Sequence, residues 1–152
     1  MKGKTLALTL ALCFAGTAFA QKAEMGTWKL NEAKSKVPAG YMKNTTVLYE
    51  TDGDNVKVTT DGTDAKGDPM HTTWAGKFDG KAYPLTGDPT ADSRTYVKVN
   101  DHTLKLTNTM AGKAVNTGTV TIAPDGKIRT LRISGTDKDG KKVSSTAVYD
   151  KM

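Results

Sequence analysis

The sequence predicts an all-β fold: an antiparallel up-and-down meander of about eight to ten strands, closed into a barrel. Three observations carry this prediction. Helical periodicity is almost absent. From Thr45 onwards the chain is a succession of short alternating runs, "TTVLYE", "NVKVTT", "MHTTWAGKF", "TYVKVN", "HTLKLTNTM", "AVNTGTVTI", "IRTLRIS" and "VSSTAVYD". The runs are separated by breakers such as "DGDN", "VNDH", "PDGK" and "TDKDGK", whose Asp-Gly and Asn-Asp pairs suit the tight turns of hairpins. Thr, Val, Ile and Tyr dominate the runs, as they do in strands.

The first twenty residues are set apart from the fold. "MKGKTLALTLALCFAGTAFA" has Lys2 and Lys4, an apolar stretch from Leu6 to Ala15, and Ala18-Phe19-Ala20 before Gln21. A charged start, an apolar centre and an A-x-A cleavage site are the parts of a secretory signal peptide. The apolar stretch falls short of the about 20 residues that span a bilayer, so no stable membrane span is expected. Residues 1–20 are read as the signal peptide and 25–151 as one barrel domain, in a soluble periplasmic or secreted protein. Cys13 is the only cysteine. Leu12 precedes it, where a lipid-modified cysteine would follow a small residue. The exported chain, 132 of the 152 residues, would hold no disulfide and must rest on its core, for which that length is sufficient.

The formal charge is +6, and loss of Lys2 and Lys4 leaves +4. Lys and Asp share the turns, as in "TDKDGKK" and "KFDGK", and no basic stripe is visible along the chain. Nucleic acid is therefore not an expected partner, and a monomer is expected.

Taken in order, "GTWKL" is the first strand. Asn31 can cap a helical turn over Glu32 to Lys36 before Pro38 stops it. The eight runs follow, with "KAYPL" as a further candidate. A shift of 73 residues lays "TVLYETDGDNVKVTTDGTDAKGDPMHTT" over "TVTIAPDGKIRTLRISGTDKDGKKVSST". Thr46, Val47, Asp52, Gly53, Gly62, Thr63, Asp64, Gly67 and Thr73 then match identical residues without a gap. Internal duplication and convergence of hairpins on similar turn residues both account for the match, and either gives the same three-stranded meander twice. An open sheet of this length would expose two edges. The first strand and the last, "STAVYD", are the natural pair to close it, with Gly26 and Trp28 at the closure.

With these ends in place the chain resembles the calycin group, the lipocalins and fatty-acid-binding proteins. Gly26-Thr27-Trp28 fits that group's Gly-x-Trp signature on the first strand, "GTWKL" followed by "YMK" is similar to the opening of fatty-acid-binding proteins, and "VYDKM" is similar to their last strand. It also resembles a broad set of exported bacterial proteins with "GTWKLN.AKSK" starts and "VYDK" ends. The resemblance covers the two ends and the strand count. It implies a lipocalin-like barrel in which Trp28 packs across the closed end. Fatty-acid-binding proteins hold a ligand carboxylate with an Arg two residues before the Tyr of the last strand. Tyr149 matches that Tyr, but Ala147 stands at the Arg position. Arg129 and Arg132 on the preceding strand are the possible substitutes.

Catalytic and metal chemistry find little support. His71 and His102 lie in different runs without a Cys or second His at ligand spacing. None of Ser35, Ser93, Ser134, Ser144 or Ser145 stands in a Gly-x-Ser-x-Gly elbow. Asp61, Asp64 and Asp68 lack the spacing and closing Glu of a calcium loop. No enzyme activity, metal or cofactor is expected. Aromatic and apolar residues remain as candidates. Alternation places Thr72, Trp74, Gly76 and Phe78 on one face, and Leu104, Leu106, Asn108 and Met110 on another. The expected function is a non-catalytic binding protein holding a small apolar or amphipathic ligand. Trp74, Phe78, Tyr96, Leu106 and Tyr149 would line the site and Arg132 would be its polar anchor. The alternative is a solid-core barrel that acts through its surface, favoured if no interior cavity exceeds about 300 Å³.

Overall fold

The computed structural model describes residues 23–137 and 139–152; residues 1–20, read from the sequence as a signal peptide, and Cys13 among them lie outside the described residues. Ten antiparallel strands run in sequence order around a closed barrel, and β1 (Gly26–Leu30) joins β10 (Lys142–Lys151). Between them lie β2 (Lys43–Asp52), β3 (Asn55–Thr63), β4 (Pro69–Gly76), β5 (Asp79–Thr86), β6 (Ser93–Asn100), β7 (Thr103–Met110), β8 (Lys113–Ile122) and β9 (Ile128–Thr136). Closure leaves no free edge. Among the described residues, no helix is long and apolar enough to cross a membrane.

The seam is short. Trp28 pairs with Lys151 on one side and Val47 on the other. Its ring is fully buried, its Nε1 donates to the Glu24 carbonyl at 2.7 Å, and the Lys151 ammonium lies 5.0 Å from the ring centroid. Gly26, with φ +103°, supplies the left-handed backbone that leads the chain into β1. After β1, Asn31 caps a 3₁₀ turn over Glu32–Lys34 by accepting from the Lys34 N–H at 3.2 Å. Lys36 then forms an isolated bridge to Thr146, which ties this segment to β10.

The strands alternate as the sequence suggests, with one departure. β4 ends at Gly76, so Phe78 does not share a strand face with Trp74 but lies in the connection to β5. There the Phe78 carbonyl accepts from the Lys98 N–H at 3.3 Å. Adjacent β4 and β5 pair only at Thr73–Thr86 and Trp74–Leu85. The space where they diverge is filled from inside. The Tyr83 ring lies where a side chain at position 76 would be, which glycine alone permits. The core consists of Trp28, Tyr49, Val56, Val58, Trp74, Tyr96, Leu104, Val120, Ile122 and their neighbours.

Candidate functional site

Period-two alternation along β9 turns Arg129, Leu131 and Ile133 inward and Arg132 outward. Arg129 is 2% exposed. It lies opposite Tyr149 in the β9–β10 register, and its guanidinium carbon sits 4.8 Å from the Tyr149 ring centroid and 5.5 Å from that of Tyr49. One nitrogen, Nη2, donates to the Tyr49 hydroxyl at 3.1 Å. The other two, Nε and Nη1, are buried without a hydrogen-bond partner. Burial works against the charge of Arg129, acceptance of its Nη2 hydrogen bond by the Tyr49 hydroxyl favours it, and the group remains cationic. Burial likewise pushes the Tyr49 and Tyr149 hydroxyls up, against the opposing charge of Arg129, and both stay neutral.

A second cationic group stands across the interior. Arg94 on β6 donates through Nε to Asn108 Oδ1 at 2.6 Å and through Nη1 to the Tyr96 hydroxyl at 3.4 Å. Asn108 in turn donates to Asn116 Oδ1 at 2.8 Å, and the Tyr149 hydroxyl donates to the Asn44 carbonyl at 3.1 Å. These groups bound an interior cavity of about 150 Å³, whose apolar wall includes Val58, Leu106, Leu131 and Ala147. The cavity adjoins a groove of about 550 Å³ that lies between residues 40–42, in the connection to β2, and the β9–β10 hairpin. Tyr41, Met42, Val115, Ile133 and Val143 give that groove an apolar lining. Tyr41, Met42, Asn116, Ile133 and Ser145 line both spaces.

The opposite, closed end holds a buried carboxylate. Glu24 is 1% exposed, and its Oε2 has no partner. Burial raises its pKa, opposed by a backbone hydrogen bond and by Lys98, His102 and Arg129.

Of the expected lining residues, Tyr96, Leu106 and Tyr149 border the cavity. Trp74 and Phe78 do not. Trp74 is bound through Nε1 to the Arg94 carbonyl at 3.0 Å and packs edge-on against Tyr96 at 4.9 Å. Phe78 packs against the same tyrosine at 5.4 Å. The two rings support Tyr96 from behind. Arg132 is exposed on the outer wall and does not border the cavity, whereas Arg129 does. Residues not foreseen at the site are Arg94, Asn108 and Asn116. His71 pairs with Asp61 at 2.6 Å on the outer surface, and His102 is exposed in the β6–β7 hairpin. Among the described residues no three His, Cys, Asp or Glu side chains cluster as metal ligands.

Fold and site together define a ten-stranded antiparallel barrel with a small cationic interior beneath an apolar mouth. No family model and no curated protein matches the chain. Solved structures similar to it include two barrels. EF1p2_mFAP2b bound to DFHBI is 15% identical, covering 88% of this chain and 98% of its own, with a TM-score of 0.46. A redesigned beta barrel, mFAP1, bound to DFHBI, is 17% identical over 89% and 100%, with a TM-score of 0.45. At these scores the likeness carries no information about what this chain binds.

Proposed function

We propose that the protein is a non-catalytic binding protein for a small amphipathic molecule with an anionic head, exported to the periplasm or beyond. The head lies in the interior cavity against Arg129, and the apolar part lies in the mouth groove. The observation that carries this reading is the pair of unpartnered Arg129 nitrogens, Nε and Nη1, in a fully buried guanidinium. A buried donor without an acceptor costs about 1–3 kcal/mol, more when charged, and an oxyanion would remove that cost. The interior volume of about 150 Å³ is half the about 300 Å³ at which ligand pockets begin. It suits a carboxylate or phosphate head and not a whole lipid. The same number favours the second reading, a barrel that acts through its surface.

Titration calorimetry with decanoate, decyl phosphate and decanol decides between them. The two anions are expected to bind at least about tenfold more tightly than the alcohol, since a charged hydrogen bond contributes about 1.5–3 kcal/mol. Arg129→Met is expected to abolish that difference. Equal binding of acid and alcohol would remove Arg129 from the proposal. Absence of binding by all three up to millimolar concentration would leave the surface reading.

A further inference from the structure

We infer that the outer wall formed by β7 to β10 is a binding face for a linear anionic polysaccharide. The strands are electrostatically lopsided. β6 to β10 contain eight basic residues and one acidic residue, Asp150, whereas β2 to β5 contain three basic and four acidic residues. Strand register gathers part of this excess into one row. Lys105 pairs with Thr119, Thr119 with Arg132, Arg132 with Thr146, and Thr146 with Lys36. The four strand residues follow the outward parity of their strands, Lys36 joins the row through its isolated bridge to Thr146, and the three cations are exposed. Neighbouring strands lie about 4.8 Å apart, so the cations recur at about 9.6 Å with a threonine hydroxyl between each pair.

Among the described residues, none of Lys36, Lys105 and Arg132 takes part in an ion pair. Asp150 stands two rows away and accepts from Asn31 Nδ2 at 2.7 Å. The flanking rows, Thr121 with Thr130 and Thr117 with Ser134, pair hydroxyls and carry no charge. A shallow groove of about 510 Å³ follows the charged row.

Charge complementarity selects an anionic partner, and geometry selects its class. The row crosses strands and therefore follows the curvature of the barrel, so a flat membrane would touch only part of it. Single-stranded nucleic acid is held largely by stacking on aromatic rings, and the outward residues of these strands include none. A flexible chain of sugars with recurrent carboxylates can follow the wall, its charges meeting the cations and its hydroxyls meeting the threonines between them. This face is separate from the interior, so the inference stands whether or not the cavity holds a ligand.

Affinity electrophoresis of the whole folded protein in gels containing polygalacturonate tests it, with dextran, oligothymidylate and phosphatidylglycerol vesicles as comparisons. K36Q/K105Q/R132Q removes the row, and K57Q/K66Q/K81Q removes the same charge from exposed positions elsewhere. We expect retardation by polygalacturonate and not by dextran, weakened by salt. The row variant should bind at least about tenfold more weakly, since each cation near an anionic surface contributes about 1 kcal/mol. The control variant should stay within a factor of about two. Equal loss in both variants would reduce the effect to net charge and overturn the inference. Tighter binding of oligothymidylate or vesicles than of polygalacturonate would also overturn it.

Discussion

The meanders β2–β3–β4 and β8–β9–β10 are alike where the chain turns and unlike where it faces inward. An offset of 73 residues lays β3 onto β9 with coincident ends, Asn55–Thr63 on Ile128–Thr136. The following turns share the same hydrogen bonds among their described residues. Asp64 N–H donates to the Asp68 carbonyl at 2.9 Å, as Asp137 N–H does to the Lys141 carbonyl. The carboxylate of each leading aspartate accepts two backbone N–H groups, from Lys66 and Asp68 in one and from Asp139 and Lys141 in the other. At the aligned inward positions, however, Val56 corresponds to Arg129, Trp74 to Ala147, and Gly76 to Tyr149. Bulk and charge are exchanged while the backbone is kept. Turn chemistry sets the architecture of both meanders, and the inward residues of the second one supply Arg129 to a site that Arg94 on β6 completes. The outer wall divides in the same way, since Thr59 and Asp61 on β3 align with Arg132 and Ser134 on β9.

The largest expected effect comes from giving one half the small residue of the other. Trp74→Ala imitates Ala147 and removes the ring that supports Tyr96, Tyr83 and Phe78. It should cost about 3–5 kcal/mol in urea unfolding, the range for a buried aromatic. Trp28→Ala, at the seam outside both meanders, should fall in the same range. A loss below about 1 kcal/mol at Trp74 would mean that the bulk of the first half is not what keeps it closed.

The next effect separates stability from binding. Arg129→Met brings the second half closer to Val56 and replaces a buried, partly unsatisfied cation with an apolar chain of similar reach. Stability should hold or rise by as much as about 1–4 kcal/mol, since apolar replacement of buried ionic groups is often neutral or favourable. Binding of anionic amphiphiles should be lost. A marked loss of stability would show that contact with Tyr49 and Tyr149 outweighs the desolvation of the guanidinium.

Much of the fold was legible because it is written in local chemistry. Asp-Gly turns, Thr/Val alternation and the Trp at the first strand are each readable within a few residues. The site was less legible, for two physical reasons. Alternation does place Arg129 on the face of Leu131 and Ile133, and it places Arg132 opposite. Applied strictly, it would have exchanged the two arginines, but an arginine on an apolar face contradicts the usual burial rule. Trp74 and Phe78 belong to one alternating run in the sequence, and nothing local reveals that the strand ends at Gly76. The cationic row of Lys36, Arg132 and Lys105 is invisible along the chain, because it exists only after three distant segments are brought into register.

A smaller effect tests the equivalence of the turns. Asp64→Ala and Asp137→Ala each remove a carboxylate that accepts two exposed backbone N–H groups. Each should cost about 0.5–1.5 kcal/mol, and the two losses should agree within the error of the measurement and add in the double variant, as separate sites do. Losses that differ by more than about 1 kcal/mol would break the equivalence.

The smallest effect depends on pH and concerns the closed end that both halves share. Glu24 is buried with Oε2 unpartnered, and burial raises its pKa above the usual carboxylate value. Between the unfolded and the folded pKa the native state therefore binds more protons than the unfolded chain, so stability falls as pH rises through that window. Above the folded pKa the full cost of the buried charge is present, and below the unfolded pKa it is absent. Glu24→Gln removes the charge while keeping the shape. Its melting midpoint should exceed that of the parent at neutral pH by less than the turn variants lose, and the gain should vanish on acidification below pH about 4. A gain of equal size at both pH values would assign the effect to packing, and a loss at neutral pH would mean that Lys98, His102 and Arg129 stabilise the ionised carboxylate more than burial penalises it.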